Sequence, residues 1–270
     1  MIIAIDTGGT KTLIVVMSQN GEMLSKHQFP TPKSDEQQYL RELVSTINNM
    51  SQGQTLEAIV VGLPGVVRNQ FVKSYNNLDW YEFDLAKELK NNFQGVPVWL
   101  ENDANLGAVG AANLLPTPAK QCVYITISTG IGGGFVVDGK LEPSVALWEP
   151  ADITFEYKGK LTRWEDLASG PAIAASYNDI DLSKPTDENI LEDIGKRIAR
   201  GFLVLVPILR PDTIVVGGGV GAYYDLFAKY VEKELTLLPD QYKCQVVTSS
   251  HPQEVVIYGC YYYAKSQLGL

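Results

Sequence analysis

Histidine and cysteine are scarce in this chain of 270 residues: His27 and His251 are the only histidines, and Cys122, Cys244 and Cys260 the only cysteines. The three thiols lie far apart and none sits in a paired motif, so no Cys/His zinc site is expected. Cys122 and Cys244 fall inside β-like runs, where a reduced thiol behaves as a small hydrophobe. Positive charge is also short. The 22 Lys and Arg stand against 31 Asp and Glu, a formal net charge of −9. A phosphate-backbone binder needs a basic face, so nucleic acid is not an expected partner. A single nucleotide is not excluded, because backbone amides and a divalent cation can hold a triphosphate without net positive charge. No apolar window approaches the length that spans a bilayer. The opening run from Met1 to Ile5 meets Asp6 at once, too short for a signal-peptide core and without its basic start. A cytoplasmic protein without a membrane partner is expected.

Glycine, by contrast, is concentrated beside β-branched runs. Ile2 to Met17 contains Asp6-Thr-Gly-Gly-Thr-Lys11 and is followed by Asn20-Gly21; Val123 to Val137 contains Ser128-Thr-Gly-Ile-Gly-Gly-Gly134 and is followed by Asp138-Gly139. Each reads as strand, Gly/Thr-rich turn, strand and hairpin signal. Neither cluster opens a helix, which separates both from a Walker A loop or a dinucleotide fingerprint. Two such devices half a chain apart predict two related domains, each offering one loop to a shared cleft.

Between and after them, strands and helices alternate. Ser34-Asp35-Glu36-Gln37 resembles a capping box ahead of Leu40, Leu43, Val44, Ile47 and Met50 at helical spacing. Leu56 to Val61 and Val96 to Leu100 read as strands that deliver Gly62-Leu-Pro-Gly65 and Glu101-Asn-Asp-Ala-Asn105, and a small-residue helix covers Leu106 to Leu115. Helices are predicted over Glu165 to Ser176, Asp187 to Leu209 and Tyr223 to Leu235, with a last one from about Tyr258; strands over Thr213 to Val216 and Gln245 to Thr248. This is an α/β pattern. The expected domains are residues 1–115 with about 256–270, and residues 116–255.

Several of these strand ends carry chemistry. Gly8 and Gly9 let backbone amides approach anionic oxygens, and Asp6 beside them can hold Mg²⁺, through water given that ion's reluctance to dehydrate. A plain hairpin with a structural Gly-Gly turn reads the loop equally well. Four glycines within Ser128 to Gly134 weaken a strand pair, which suggests close backbone approach to a ligand. Gly217-Gly218-Gly219 suits a flat nucleoside lying on backbone. Asp103 is the candidate general base, since phosphoryl transfer to an alcohol needs a carboxylate to take the hydroxyl proton. Its alternative is an Asx turn with a helix N-cap.

The order Asp6-Thr-Gly-Gly-Thr-Lys11, Gly62-Leu-Pro-Gly65, Asn77-Leu78, Glu101-Asn-Asp-Ala-Asn105, Ser128-Thr-Gly-Ile-Gly-Gly-Gly134, Leu167-Ala-Ser-Gly-Pro171 and Val216-Gly-Gly-Gly219 resembles the ROK family of repressors, open reading frames and kinases, over nearly the whole chain. The resemblance implies a two-domain actin-like (ribonuclease H-like) α/β fold around a cleft, and a hexose kinase using ATP and Mg²⁺, most simply a glucokinase acting on the 6-hydroxyl as a homodimer. It implies Asp103 as base, with Gly65, Asn77 and Asn102 on the sugar. Gly9, Thr10 and Lys11 lie on one side of the phosphates, Thr129 and Gly130 on the other, and Gly217 to Gly219 near the adenosine. The family's repressors carry an extra DNA-binding segment ahead of the first strand; this chain starts on that strand and resembles the kinase branch.

Two departures stand out. Where the family carries Glu-x-Gly-His, with Glu and His on the sugar and the His also on zinc, this chain has Glu149-Pro-Ala-Asp152. The Cys-rich zinc loop that follows is replaced by Ile153 to Arg163, so the resemblance is to a zinc-free member. Glu149 and Asp152 are candidate sugar contacts, or solvated surface residues. Fructose or N-acetylmannosamine is an alternative acceptor, and a catalytically weak sugar-sensing regulator an alternative role.

Overall fold

The computed structural model describes residues 1–68, 71–74, 78–80 and 83–270; Asn77 lies outside them. The β-branched runs form strands because both of their faces are covered: Ile2, Ile3, Ala4 and Ile5 are all fully buried, as are Ala58 to Val61. The first sheet comprises β1 (Ile2–Thr7), β2 (Lys11–Met17), β3 (Met23–Pro30), β4 (Ala58–Leu63) and β7 (Val98–Asn102), in the order β3-β2-β1-β4-β7. β5 (Val66–Arg68) and β6 (Phe71–Ser74) make a separate hairpin after β4. α1 (Glu36–Met50) and α2 (Leu85–Asn92) cover one face, where Tyr39, Leu43 and Leu89 meet Ile3 and Ile5. α3 (Asp103–Asn113) lies under the other, where Leu106 meets Ile2 and Ala4. The α1 cap is not the expected one. The Asp35 carboxylate, rather than Ser34, accepts the Gln38 amide at 2.7 Å, while the Ser34 hydroxyl donates to Asp79 at 2.8 Å.

The second sheet repeats the first. β8 (Gln121–Ile127), β9 (Ile131–Val137) and β10 (Lys140–Leu141) form an antiparallel meander, and β13 (Thr213–Gly217) and β14 (Gln245–Thr248) add in parallel, in the order β10-β9-β8-β13-β14. The first sheet has the same sequence of directions: three antiparallel strands, then two parallel ones. This duplicated topology is that of the expected actin-like fold. Asp138 (φ 49°) and Gly139 (φ 75°) make the predicted two-residue turn between β9 and β10.

β11 (Thr154–Tyr157) and β12 (Lys160–Arg163) form a hairpin where the resemblance places the Cys-rich loop. The single helix expected over Glu165 to Ser176 is two, α4 (Trp164–Ala168) and α5 (Gly170–Ser176). They part at Ser169, whose extended backbone and hydroxyl start α5 with Pro171 in its first turn. Proline is well tolerated in the first turn of a helix but disfavoured in its interior. α6 (Glu188–Leu209) is capped by Asp187 and packs Ile198 and Phe202 with Trp164 beneath the sheet. The region expected as one helix from Tyr223 differs as well: the glycines themselves open a short turn, α7 (Gly218–Gly221), and the regular helix α8 covers only Ala228–Leu235. The last helix, α9 (Val255–Leu268), begins three residues before its expected start.

Two compact units result, Met1–Gly110 with Glu254–Leu270, and Ala111–Gln253. No helix among the described residues is long and apolar enough to cross a membrane. Within the first unit α9 returns beneath β1 and β4 and crosses α3 at backbone contact. A Cβ on Gly110 would overlap the Val255 carbonyl, and one on Gly259 the Leu106 carbonyl. Gly259→Ala should therefore lower the urea midpoint of the first unit, because overpacking costs about 1–3 kcal/mol against a helix-propensity gain of about 1 kcal/mol. Urea titration followed by circular dichroism checks this; an unchanged or higher midpoint would show that the helices part freely.

Candidate active site

Parallel pairing places three strand ends in one row. Asp6 of β1 is in register with Gly62 of β4, and Gly62 with Glu101 of β7. Adjacent strands sit roughly 4.8 Å apart, so the carboxyl ends of β1, β4 and β7 form a continuous edge. Asp6 is the charged residue at its β1 end. Burial pushes its carboxyl up to about 6, and the Lys11 ammonium offsets only part of that. A carboxylate in this setting fits a divalent cation, which would supply the charge that Lys11 does not. Asp6 would then hold Mg²⁺, which supplies charge neutralisation to a bound triphosphate.

The loop beside it is tied down by backbone. The Gly8 amide donates to the Lys11 carbonyl at 2.9 Å, the Thr31 amide to the Thr10 carbonyl at 3.0 Å, and the Thr31 hydroxyl to the Gly8 carbonyl at 2.8 Å. Thr31 Oγ1 lies 2.9 Å from Thr12 Oγ1 within the same strap. Three carbonyl oxygens of the loop are thus engaged inside the unit, while Thr10 and Lys11 are exposed. Thr31, the residue that fastens this loop, was not singled out in the sequence; its only signal is a threonine at the end of the strand after the first hairpin.

At the end of β7 the Glu101-to-Asn105 cluster divides its work. Asn102 Oδ1 accepts the Asn105 amide at 3.1 Å and so caps α3. Its Nδ2 donates to the Gly65 carbonyl at 3.0 Å, where Gly65 turns the chain at φ +108°. Glu101 Oε1 accepts from the Asn102 amide and from Asn105 Nδ2, both at 2.9 Å; burial raises the Glu101 carboxyl and these bonds oppose the rise. Asp103, the first residue of α3, accepts the Ala104 amide at 2.8 Å. The cap that competes with a catalytic reading of Asp103 is therefore supplied by its neighbour. Gly65, Asn102 and Asp103 come together in the first unit with Asp6 and the loop 8–11.

The second unit holds the other candidates. Ser128 to Gly130 closes as a tight turn, with the Ser128 amide on the Gly130 carbonyl at 2.8 Å and Thr129 exposed at its tip. The turn is clamped from below. Glu165 Oε2 accepts the Ile131 amide at 2.9 Å and would stand 2.5 Å from a Cβ on Gly130, and the Gly170 amide donates to the Ser128 carbonyl at 2.8 Å. Glu165 is a second residue that sequence reading missed. A glutamate in the first turn of a short helix gives no sign of its partner 34 residues earlier.

The three glycines after β13 serve different ends. Gly217 lies against the Tyr124 ring, and Gly218, at φ +82°, against the Ile127 carbonyl and Thr126 hydroxyl. Only Gly219 has open space where a side chain would be. Close packing on β8 thus accounts for two of the glycines, and open backbone for one. Glu149 and Asp152 are both exposed at the ends of a short 3₁₀ turn, closed by the Asp152 amide on the Glu149 carbonyl at 3.1 Å. Partial burial and the nearby charges of Asp152 and Glu165 push the Glu149 carboxyl up. Asp152 pairs with Arg163 at 3.2 Å. Among the described residues no group of three or more His, Cys, Asp and Glu is arranged to hold a metal.

The ROK family model matches residues 2–145 and 157–267. The chain is 32% identical over 276 residues to the glucokinase of Streptomyces coelicolor, covering 86% of each protein. It is 30% identical over 256 residues to a Bacillus subtilis (strain 168) protein provisionally named a fructokinase, covering 86% of this chain and 83% of the relative. Among solved structures it is similar to a ROK family glucokinase from Streptomyces griseus in complex with glucose and AMPPNP, at a TM-score of 0.79 and 23% identity over 96% of this chain and 97% of that one.

The electrostatics of Asp6 are open to direct measurement. Its carboxyl titrates near 6 in the folded chain against an ordinary aspartate value of 3.8, so burial destabilises the fold once pH rises through that window, by about 3 kcal/mol at most. Without nucleotide and divalent metal, Asp6→Asn should melt higher than the wild type at pH 8, and the difference should vanish by pH 4. Thermal unfolding at the two pH values checks it; equal melting at pH 8 would mean that the Asp6 charge is already compensated.

Proposed function

This chain belongs to the ROK family, and we propose that, as a sugar kinase of that family, it transfers the γ-phosphate of ATP to a hexose hydroxyl, with glucose as the leading acceptor and Asp103 as general base. The observation that carries this reading is the division of labour at the start of α3. Asn102 caps the helix, so the cap is not Asp103's task, and its carboxylate stands at the helix N-terminus, whose positive end favours the charged form that a base needs.

The surrounding residues fit such a transfer. Asn102 Nδ2 bears two protons and spends one on the Gly65 carbonyl; the other can be given to a sugar hydroxyl. The same bond holds Gly65 at a fixed distance from Asn102, which orients a sugar between a rigid turn and a rigid helix start. Gly9, Thr10, Lys11, Thr129 and Gly130 are the proposed phosphate contacts, with Gly219 the backbone beside which a nucleoside can lie. Support for ATP comes from the AMPPNP bound to the Streptomyces griseus glucokinase, and for glucose from that structure and the Streptomyces coelicolor relative. The Bacillus subtilis relative favours fructose as a second acceptor. Transfer to the 6-hydroxyl rests on the family resemblance.

The test is ADP release by the purified protein with Mg-ATP and each of glucose, fructose, mannose, N-acetylmannosamine and glucosamine. Turnover is expected with one of them. Asp103→Asn should cut kcat by about 10²- to 10⁴-fold with little loss of folding, because a charge at a helix N-terminus contributes only about 0.3–1 kcal/mol. Near-normal kcat in that variant would remove Asp103 from the role. Sugar binding without ADP release would point to a sensor instead.

A further inference from the structure

Residues 146–156, where the family match lapses, include the turn that carries Glu149 and Asp152. With Glu165 and Asp166 on α4, these make four carboxylates close to one another in the second unit. Arg163, the last residue of β12, is the cation among them. Its Nε and one terminal nitrogen fork onto the two Asp166 oxygens at 2.9 and 2.8 Å, and its other terminal nitrogen reaches Asp152 at 3.2 Å. It also lies 3.9 Å from Glu165 Oε1. The fork lowers the Asp166 carboxyl from its ordinary value. The second Glu165 oxygen accepts the Ile131 amide directly after Thr129 and Gly130. One guanidinium therefore joins the 149–152 turn to the residue that clamps the Ser128–Gly130 loop.

We propose that Arg163 is a positioning residue for sugar binding: by forking onto Asp166 and reaching Asp152 it fixes the 149–152 turn, and with it Glu149, relative to the Ser128–Gly130 loop. The inference rests on the reading of Glu149 as a sugar contact given above. A lone exposed ion pair does little, but a bidentate Arg–carboxylate fork shared with a second carboxylate holds a defined geometry. Buried Pro150 and Ala151 anchor the apolar side of the turn, and Ala151 joins the core; the guanidinium acts on the two charged ends of the turn. Its backbone bonds are internal, from Asp152 to Glu149 and from Ile153 to Pro150, and the Trp164 amide meets the Ile153 carbonyl at 2.7 Å just beyond it. Without the guanidinium, Glu149, Asp152 and Glu165 face one another as uncompensated like charges, which pushes the Glu149 and Asp152 side chains apart and away from their fixed positions.

The experiment compares wild type, Arg163→Gln, Arg163→Lys and Asp152→Asn by sugar and ATP kinetics, and by hydrogen–deuterium exchange on the free proteins. Arg163→Gln should lower kcat/KM for the sugar about 10- to 100-fold, the size of effect that misplacing a substrate-orienting group produces. KM for ATP should stay within about twofold, because the Glu165 clamp on Ile131 does not need the arginine. The Asp152 and Ile153 amides should exchange faster while Thr213–Gly217 is unchanged. Lys keeps the charge but not the fork and should fall between. Asp152→Asn should reproduce part of the loss, and adding it to Arg163→Gln should cost nothing more. Unchanged sugar kinetics and unchanged exchange would overturn the proposal. So would parallel losses in sugar kinetics, ATP kinetics and melting temperature, which mark a purely structural arginine. If the wild type phosphorylates no sugar, the kinase reading fails by itself; the exchange of Asp152 and Ile153, with calorimetric binding of the same sugars, then decides the role of Arg163.

Discussion

The first unit depends on how closely two helices can approach. α3 starts at Asp103 and α9 runs beneath β1, and they cross where Gly110 meets the Val255 carbonyl and Gly259 the Leu106 carbonyl. Side chains would hold these backbones apart, since packed helix axes ordinarily stand roughly 8–10 Å from each other. With glycine at both contacts, α3 lies flat against the sheet and its first residue stays level with the ends of β1 and β4. The same crossing brings Cys260 within 3.6 Å of the Ile5 carbonyl, sealing β1 immediately before Asp6. Tight packing along α3 thus fixes the height of the Asp103 carboxylate at its start, a precision of the kind the proposed transfer would need.

Burial beneath Asp6 has an electrostatic side. The apolar residues that stabilise β1 also remove water from the carboxylate at its end, which makes ionisation costly unless a cation accompanies it. A carboxylate placed in this way gains more from a cation than one standing in water would. Such local discomfort at the position proposed to meet a cation, supported by a well-packed surround, is a common compromise between stability and activity.

Much of the fold could be read from local pattern. The strands are recognisable because Ile2 to Ile5 and Val123 to Val137 are β-branched and bounded by glycine turns, and those turns need residues such as Asp138 and Gly139 that tolerate positive φ. The α/β class and a pair of related domains follow from them, while the actin-like topology is what the resemblance to the ROK family implies. Details that depend on distant partners were not legible. Asp35 caps α1 because Ser34 is drawn to Asp79, 45 residues away. Ser169 breaks a helix whose periodicity runs straight through it, and two of the three glycines after β13 answer to Tyr124 and Ile127 rather than to a ligand. The positions of the candidate loops at strand ends could be anticipated, but their fasteners, Thr31 and Glu165, could not. A hydroxyl or carboxylate that bonds a backbone amide or carbonyl across a sheet leaves no periodic trace in sequence.

The return of α9 to the first unit orders events during synthesis. β1, β2 and β4 leave the ribosome early, yet Ile2, Ala4, Val15, Met17 and Val60 are buried partly by Ile257, Cys260 and Ala264. Until residues 254–270 emerge, α3 covers that apolar face only in part, through Leu106. The second unit, Ala111–Gln253, is by then complete and continuous in sequence. The nascent chain therefore has its later unit complete while the first still carries a partly uncovered hydrophobic sheet face, a surface of the kind chaperones engage.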